Sequence, residues 1–339
     1  MIDLPGSETT RPVRWGILST ARIASQRIVP ALGKSPSSRV DAVASRALDS
    51  ARAFAEPFAI PRAYGSYQEL FDDPEIDVIY NALPNSLHLE TTLAALEGGK
   101  HVLVEKPIGL TSAEARAIKA AAGPLLVGEA FMIRHHPQWH RVLERIAAGE
   151  IGDLRAVQTF FSFLNVDPDN IRNRPDLGGG AMLDIGCYAV AAARLIFGAE
   201  PERVFALIDR DPAMGTDRAN TILADFGGGR QFSAMLSTQS FRHQHVSIVG
   251  TTGRIEMPTP FSAPTDTECR FGIDHAGPGT PLGIVTIAPV DQYALQIEAF
   301  SRAIAGTGPW RFGIDDAIAN MAVIDALFRS GRSGRWERP

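Results

Sequence analysis

From Val13 to about Gly128 the chain repeats one pattern: a short apolar run, a turn, a stretch of helical period, then another apolar run. Such alternation marks βαβ units, in which each crossover helix returns the chain to lay the next strand parallel to the last. "VRWGIL" reads as the first strand and "ARIASQRIVPALGKS" as its helix, followed by "RVDAVAS" and "ALDSARAFAEPF". "EIDVIYNAL" follows the turn signal "DDP", "HLETTLAALEGG" is a helix with a glycine stop, and "KHVLVEKP" is a strand ended by proline. "TSAEARAIKAAAG" opens on a Thr or Ser N-cap, with Glu114 at capping-box spacing from Thr111, and "PLLVGEAFM" returns as a strand. This half is therefore expected to be α/β, a doubly wound parallel sheet.

After the helix "PQWHRVLERIAAGEIG" the period changes. "LRAVQTFFSF", "RVFALIDR", "NTILADFGGGRQFSAMLSTQS" and "HVSIVGTTGRIEMP" alternate as strands do, and short turns in "FGGGR" and "GTTGR" make neighbours into hairpins. Helices are expected in "AMLDIGCYAVAAARLIFG" and around residues 291–306 and 314–330. The second half thus reads as an α+β domain with an open, mainly antiparallel sheet. The expected partition is a flexible tail over 1–12, a nucleotide-binding domain over 13–130 and a substrate and oligomerisation domain over 131–339.

Bulk properties narrow the partners. At 339 residues and 45% hydrophobic content, a sizeable core is within reach. The net charge of −5 comes from dispersed charges, which gives no face for a nucleic acid. Two cysteines, Cys187 and Cys269, form neither a C-x-x-C nor a Cys/His cluster, so no disulfide framework or structural zinc site is expected, and a reducing cytoplasm suits them. The first residues lack a basic segment followed by an apolar one, and no apolar run is expected to reach the ~20 residues that span a bilayer.

The segment "GILSTARIA" lies where a strand turns into a helix, the context of the phosphate-binding fingerprint G-x-G-x-x-G, but its register falls on Ser19, Ala21 and Ala24. The candidate cofactor stretch is Ser19, Thr20, Ala21, Arg22 and Ile23. A helix N-terminus offers free N–H groups, Ser19 and Thr20 add hydroxyls, Arg22 adds a cation, and alanine keeps backbone and ligand close. Small residues there also suit tight helix–sheet packing, so this segment alone leaves both readings open. The end of the second strand says more. An acid about 20 residues beyond the fingerprint binds the ribose of NAD(H), whereas arginine accommodates a 2′-phosphate. "VASRALD" puts Ser45 and Arg46 there, which favours NADP(H) over NAD(H). The alternative is a solvated Arg46, with Asp41 or Asp49 on the ribose. In "LVEKPIG", Glu105 and Lys106 end a strand and so face the crevice of an open sheet. A lysine there can polarise a carbonyl or hold an alcohol oxygen, or serve only as a strand-end ion pair.

Five segments in order, "GILSTARIA", "NALPNSLH", "EKP", "EAFMIRHHPQ" and "RPDLGGGAMLDIGCY", resemble the glucose–fructose oxidoreductase / inositol dehydrogenase / rhizopine-catabolism (Gfo/Idh/MocA) family, and within it the dihydrodiol and NADP-dependent D-xylose dehydrogenase branch. The resemblance implies a Rossmann domain followed by an open-faced sheet domain whose face makes subunit contacts, as a homodimer or homotetramer. It implies hydride transfer between a nicotinamide and a sugar or cyclic diol. It makes Lys106 the residue that orients the reacting oxygen and Pro107 a shaper of the nicotinamide site. Leu83, Pro84, Asn85 and His88 become the cofactor-lining segment, and Asp184 the aspartate of a D-x-G-x-H motif. That motif ends here on Tyr188, which the resemblance makes the acid/base.

A phenol next to the Lys106 ammonium is expected to ionise below its usual ~10, and Asp184 and Tyr188 at i and i+4 share a helix face. Without the motif, Tyr188 could be a packing residue and Asp184 a cap. Phe161, Phe163, Asn165 and Arg172 are the candidate substrate residues, in a region that borders the pocket in the family. Aromatics with a few polar groups suit a carbohydrate, and also ordinary sheet packing. His135, His136, His243 and His245 have no carboxylate or third histidine at metal spacing, so no metal is expected. The expected activity is an NADP-dependent dehydrogenase, with aldose C1 oxidation to a lactone or trans-dihydrodiol oxidation foremost. The alternatives are a 3-ketoreductase of a nucleotide-linked deoxysugar and a catalytically silent NADP-binding regulator. Retention of Lys106 and Tyr188 speaks against the last, because a sensor needs the cofactor site alone.

Overall fold

The computed structural model describes residues 11–277 and 281–339. Six strands, β1 (Val13–Leu18), β2 (Ser38–Ala44), β3 (Arg62–Tyr64), β4 (Val78–Asn81), β5 (His101–Val104) and β6 (Val127–Glu129), form a parallel sheet in the order β3-β2-β1-β4-β5-β6. The order reverses between β1 and β4, the switch point at which open α/β sheets leave a crevice at the strand ends. The crossovers are a π-helical turn (Ala24–Ile28) running into α1 (Val29–Leu32), then α2 (Leu48–Ala55), α3 (Tyr67–Phe71), α4 (His88–Glu97) and α5 (Ser112–Ala122). Thr111 caps α5 by accepting the Glu114 N–H, as its spacing predicts. The expected strands and helices of this half are all present. β3 and α3 are additional; their three and five residues are too few to show a period.

The second half contributes α6 (Pro137–Ala147), β7 (Leu154–Leu164), α7 (Cys187–Phe197), β8 (Arg203–Arg210), β9 (Asp217–Asp225), β10 (Gln231–Ser237), β11 (Gln239–Gly250), β12 (Arg254–Met257), β13 (Cys269–Asp274) and β14 (Gly283–Ile287). Their order is β14-β13-β12-β11-β7-β10-β9-β8, antiparallel except where β10 runs parallel to β7. One face packs on the helices. The register places Leu207, Leu223, Val249 and Ile284 together on the other, where all four are exposed.

The last two helices, α8 (Gln292–Ile304) and α9 (Ile314–Ser333), tie the halves together. Ile297 and Phe300 of α8 join the core beside β1, and the Trp15 indole donates to Ser301 Oγ at 3.0 Å. α9 packs on α5, α7 and β8. A helix late in the chain thus completes the first sheet's cover, which periodicity cannot reveal.

Two expectations need correction. Arg11, placed in the flexible tail, makes a bidentate pair with Asp77 at 2.7 and 2.9 Å, while residues 1–10 lie outside the described residues. Pro175–Phe197 is long and apolar enough to cross a membrane, but 89% of its most apolar window is buried in the protein, as befits a core helix. Cys187 and Cys269 are both free and buried.

Candidate active site

The register of the first sheet aligns its strand ends. Leu18 lies opposite Ala44 and Asn81, Asn81 opposite Val104, and Val104 opposite Glu129, so Ser19, Ser45, Ala82, Glu105 and Ala130 follow one another along the carboxyl edge. Ser19 has φ +92°, a conformation that favours glycine. It is held by its N–H to the Ala44 carbonyl at 2.9 Å and by its Oγ, which accepts the Ala21 N–H at 3.1 Å. A serine thus makes the turn that the fingerprint assigns to glycine. Thr20, Ala21 and Ile23 are half-buried and Arg22 is exposed at the start of the helix, where the first N–H groups have no partner within it. Ser45 is half-buried and Arg46 exposed at the end of β2. The competing Asp41 is buried in mid-strand and clasped by Arg39 at 2.6 and 2.7 Å, and Asp49 is exposed on α2. A glycine-like turn, open helix N–H groups and a guanidinium in place of an acid together fit a dinucleotide with a 2′-phosphate.

Two turns form the floor beside this edge. Leu83 is buried, Pro84 and Asn85 are half-buried, and the Asn85 amide donates to the Gly178 carbonyl at 2.8 Å. Gly178 must be glycine: its φ is +76°, and a Cβ would stand 2.5 Å from Leu110 and 2.9 Å from Asn85. His88, expected to line the cofactor, is fully buried instead. Its ring nitrogens lie 2.8 Å from the carbonyls of Pro107 and Leu83, and burial lowers its pKa. It joins the two turns from beneath and cannot touch a ligand. Pro107 is buried and follows a cis peptide bond from Lys106. Glu105 turns toward the Tyr80 hydroxyl, which donates to it; burial raises its pKa more than Tyr80 and Lys106 lower it.

Lys106 reaches the second half. Its Nζ donates to Asp184 Oδ1 at 3.1 Å and to the Asp184 carbonyl at 2.6 Å, while Arg172 Nε donates to Asp184 Oδ2 at 2.9 Å. Burial works to raise the Asp184 pKa, but the two cations outweigh it and hold the carboxyl below its ordinary value. Burial works to lower the Lys106 pKa, and Asp184 outweighs that too, so the ammonium is secured. Asp184 lies in a π-helical turn, Met182–Gly186, that runs into α7, so the expected single helix has a wide first turn. Asp217 sets that turn by accepting the Met182 N–H at 2.6 Å.

Tyr188 is brought to the same place in a different state from the one expected. The Lys106 ammonium lies over its ring, 4.9 Å from the centroid, and is spent on Asp184. Burial raises the phenol well above its ordinary pKa rather than lowering it. Its hydroxyl donates to Met132 Sδ at 3.3 Å, a weak acceptor that a ligand oxygen can displace. Around it stand Phe131 at 5.1 Å, Phe261 at 5.8 Å and Phe161 at 6.1 Å between ring centroids.

Of the expected substrate residues, Phe161 and Arg172 therefore meet the Lys106–Tyr188 pair. Phe163 is half-buried two positions along β7, on the same face as Phe161. Asn165 is committed elsewhere: its amide oxygen accepts the Asp167 N–H and the Asn173 amide, both at 3.2 Å, and so shapes the loop. The histidines are structural. His135 stacks on Trp310, His136 caps Gln138, and His245 bonds Glu256 at 2.9 Å. No group of three or more potential metal ligands exists among the described residues. Tyr80, Met132, Phe261 and Tyr293 were not singled out in the sequence. Tyr293 of α8 packs against both cores, and burial and then Glu105 raise its phenol. Each arrives from a separate element, and no local spacing announces it.

Two family models match the chain: "Oxidoreductase family, NAD-binding Rossmann fold" over residues 13–124 and "GFO/IDH/MocA C-terminal domain" over residues 139–256. The chain is similar to D-xylose 1-dehydrogenase (NADP(+)) 2 of Haloferax volcanii, with 36% identity over 94% of this chain and 98% of the relative. It is 36% identical to trans-1,2-dihydrobenzene-1,2-diol dehydrogenase of Xenopus laevis over 77% of this chain and 82% of the relative. Among solved structures, a 3-ketoreductase from Actinomadura kijaniata in complex with NADP and TDP-benzene matches with TM-score 0.89 and 31% identity, over 94% of this chain and 98% of that one.

The double pairing of Asp184 has a measurable consequence. Asp184→Asn leaves Lys106 and Arg172 as facing cations without their counter-ion, so the variant is expected to lose about 3 kcal/mol of stability. Arg172→Gln, which removes the more exposed partner, is expected to cost under about 1 kcal/mol. Urea denaturation of the three proteins reads the difference, and equal stability of Asp184→Asn and wild type would contradict it.

Proposed function

The chain belongs to the GFO/IDH/MocA family of oxidoreductases, and on that premise we propose that it is an NADP(H)-dependent enzyme that moves a hydride between the nicotinamide and a hydroxyl or carbonyl carbon of a neutral sugar or cyclic diol. The observation that carries this reading is the composition of the cleft. Lys106 and Arg172 stand against Asp184 and Glu105, two formal positive charges against two negative, beside an aromatic wall of the half-buried Phe161 and Phe163, backed by the buried Phe131 and Phe261. A balanced set of charges suits a neutral polyol, and the aromatic wall suits the apolar faces of its ring. Aldose C1 oxidation to a lactone is the sharper form of the proposal, supported by the likeness to the xylose dehydrogenase, with trans-dihydrodiol oxidation next. Reduction of a nucleotide-linked 3-keto deoxysugar is the second reading, supported by the fold match to the ketoreductase. Residues 13–130 would form the cofactor domain and 131–339 the substrate and assembly domain, with α8 packed back on the first sheet.

When bound, NADP⁺ supplies the hydride acceptor and NADPH the donor. Ser19, Thr20, Arg22, the backbone at Ala21 and the N–H groups of Arg22 and Ile23 would take the pyrophosphate, Ser45 and Arg46 the 2′-phosphate, and Leu83, Pro84, Asn85 and Pro107 the nicotinamide side. Glu105 would act from behind, through Tyr80. The Lys106 ammonium has three protons, of which two face Asp184, so one remains for the reacting oxygen. Tyr188 would exchange Met132 for that same oxygen, give its proton to a carbonyl oxygen in reduction, and in oxidation take the alcohol proton only as its own proton leaves the hydroxyl. Phe161 and Phe163 would carry the ring, and the outer guanidinium nitrogens of Arg172 its hydroxyls.

NADP⁺ reduction is to be assayed across aldoses, inositols and trans-dihydrodiols, with a dTDP-linked 3-keto sugar in the reverse direction. Turnover of a neutral substrate is expected. Tyr188→Phe should lower kcat by about 10²–10⁴-fold and Lys106→Met by about 10²–10³-fold. Activity surviving both substitutions would remove the mechanism, and turnover confined to the dTDP sugar would transfer the assignment to the second reading. Arg46→Ala should raise the KM for NADP⁺ about tenfold or more, the worth of a charge-assisted contact, and leave that for NAD⁺ nearly unchanged. A wild type that prefers NAD⁺ would overturn the assigned role of Arg46.

The apolar outer face of the second sheet supports assembly as a homodimer or homotetramer, since exposed apolar residues on an unpartnered sheet are a contact surface for a second copy. Light scattering of the purified chain is expected to give two or four times its 36.5 kDa mass, and Leu207→Asp with Leu223→Asp to reduce it. A monomeric wild type would rule assembly out.

A further inference from the structure

Glu129 has no part in the chemistry assigned to Lys106 and Tyr188, yet it ends β6 on the same strand edge with only 3% of its surface exposed. Its Oε1 accepts the Ile108 N–H at 2.8 Å, while Oε2 is enclosed without a partner. Burying a carboxylate with a bare oxygen is costly, and an apolar residue would fill the space without that cost. The bond to Ile108 is what an apolar residue could not supply.

Ile108 lies two residues past Lys106, in a turn with few polar handles. Pro107 has no N–H, its carbonyl is taken by His88, and the Lys106 N–H makes only a 3.3 Å contact with Glu105. The Ile108 N–H thus fastens the far side of the turn to the sheet, as the Glu105 N–H, donating to the Asn81 carbonyl at 2.9 Å, fastens the near side. The charges facing Glu129 leave it without a counter-ion of its own. Arg134 pairs with Asp316, and Arg194 pairs with Asp316 at 3.0 Å and Glu200 at 2.7 Å. Cys187 of α7 approaches from the Lys106 side and donates to the Leu183 carbonyl at 3.1 Å. Burial raises Glu129 to about 7, against the lowering by Arg134 and the Ile108 N–H.

We propose that Glu129 is a positioning residue for hydride transfer: its carboxyl group fixes the Ile108 N–H, and with it the turn that carries Lys106, most firmly when ionised. An ionised acceptor makes a bond roughly twice as strong as a neutral one, so the turn tightens as Glu129 loses its proton. The inference rests on the reading of Lys106 as the group that holds the reacting oxygen.

The bond can be followed in the resting protein labelled with ¹⁵N-isoleucine. The Ile108 amide resonance is expected to move downfield as pH rises through about 7 and to stay flat in Glu129→Gln, whose amide oxygen keeps accepting but cannot ionise. At saturating cofactor and substrate, wild-type kcat is expected to rise over the same range and that of Glu129→Gln to be level there. Glu129→Ala should lose about 10- to 100-fold in kcat while the KM for NADP⁺ stays put, and Glu129→Gln should recover most of the loss. A merely structural carboxylate would lower thermal stability and leave the pH profile alone. An Ile108 amide that does not titrate in the wild type, or a Glu129→Ala enzyme with wild-type kcat, overturns the proposal. If no substrate turns over at all, the oxidoreductase reading falls, and the amide titration still decides whether Glu129 holds the turn.

Discussion

The site depends on one carboxylate with two cations. Asp184 joins Lys106, from the end of β5, to Arg172, from the loop after β7, and so joins the parallel sheet to the second half at the proposed cleft. Taking such charges out of water costs several kcal/mol each, which attraction offsets only where the remaining protons and lone pairs are also satisfied. Here those of the carboxylate are: both its oxygens are bonded and the Asp184 carbonyl takes a second Lys106 proton, while the third Lys106 proton and the outer Arg172 nitrogens stay open toward the cleft. An apolar contact could have held the halves together at less cost. It could not have kept an ammonium fixed and charged beside a phenol.

That arrangement is built on turns, and turns lack the ladder bonds that hold strands. Buried polar side chains take their place. His88 spans the Leu83 and Pro107 carbonyls, and Asn81 accepts the Leu83 N–H at 3.3 Å while donating to Thr91 and Thr92. Asp217 caps the turn that bears Asp184, and it stands so close to Gly180, whose φ is +120°, that a Cβ there would lie 2.0 Å from its oxygen. Glycine in "LGGGA" is required by this crowding. Residues that look like ligand contacts in the sequence are in several cases the fastenings of the loops that make the contacts.

This division explains what was legible in the sequence. Strands and helices with a clear period, from "VRWGIL" to "PLLVGEAFM", are all found, because one-sided burial imposes the same repeat on the sequence and on the structure. The strands β3, β13 and β14 do not stand out: β3 is the three residues RAY, and glycine interrupts β13 and opens β14. The place of Arg46 was legible because strand length and crossover length fix where β2 ends. The state of Tyr188 was not: its neighbours Phe131, Phe161 and Phe261 come from three distant elements, and burial by them outweighs a nearby ammonium already paired with Asp184. His88 and Asn165 misled for the same reason, since a polar side chain in a motif shows that a hydrogen bond is needed and not what is at its other end.

The raised phenol changes how acid–base work would be divided in this cleft. A Tyr188 already ionised at rest would be a ready base, but it would place a third negative charge beside Asp184 and Glu105 in a buried space. A protonated Tyr188 keeps the cleft balanced and waits as a proton donor, which is the state needed to deliver a proton to a carbonyl oxygen as hydride reaches its carbon. In the oxidative direction the same hydroxyl can accept a proton only as its own leaves, so proton transfer and hydride departure are tied to a path outward from the phenol. The Lys106 ammonium, over the ring rather than at its oxygen, does little to ease that loss. On the proposed reading its advantage would be to the reacting oxygen, whose developing negative charge would meet a cation held in place by Asp184 before any substrate arrives.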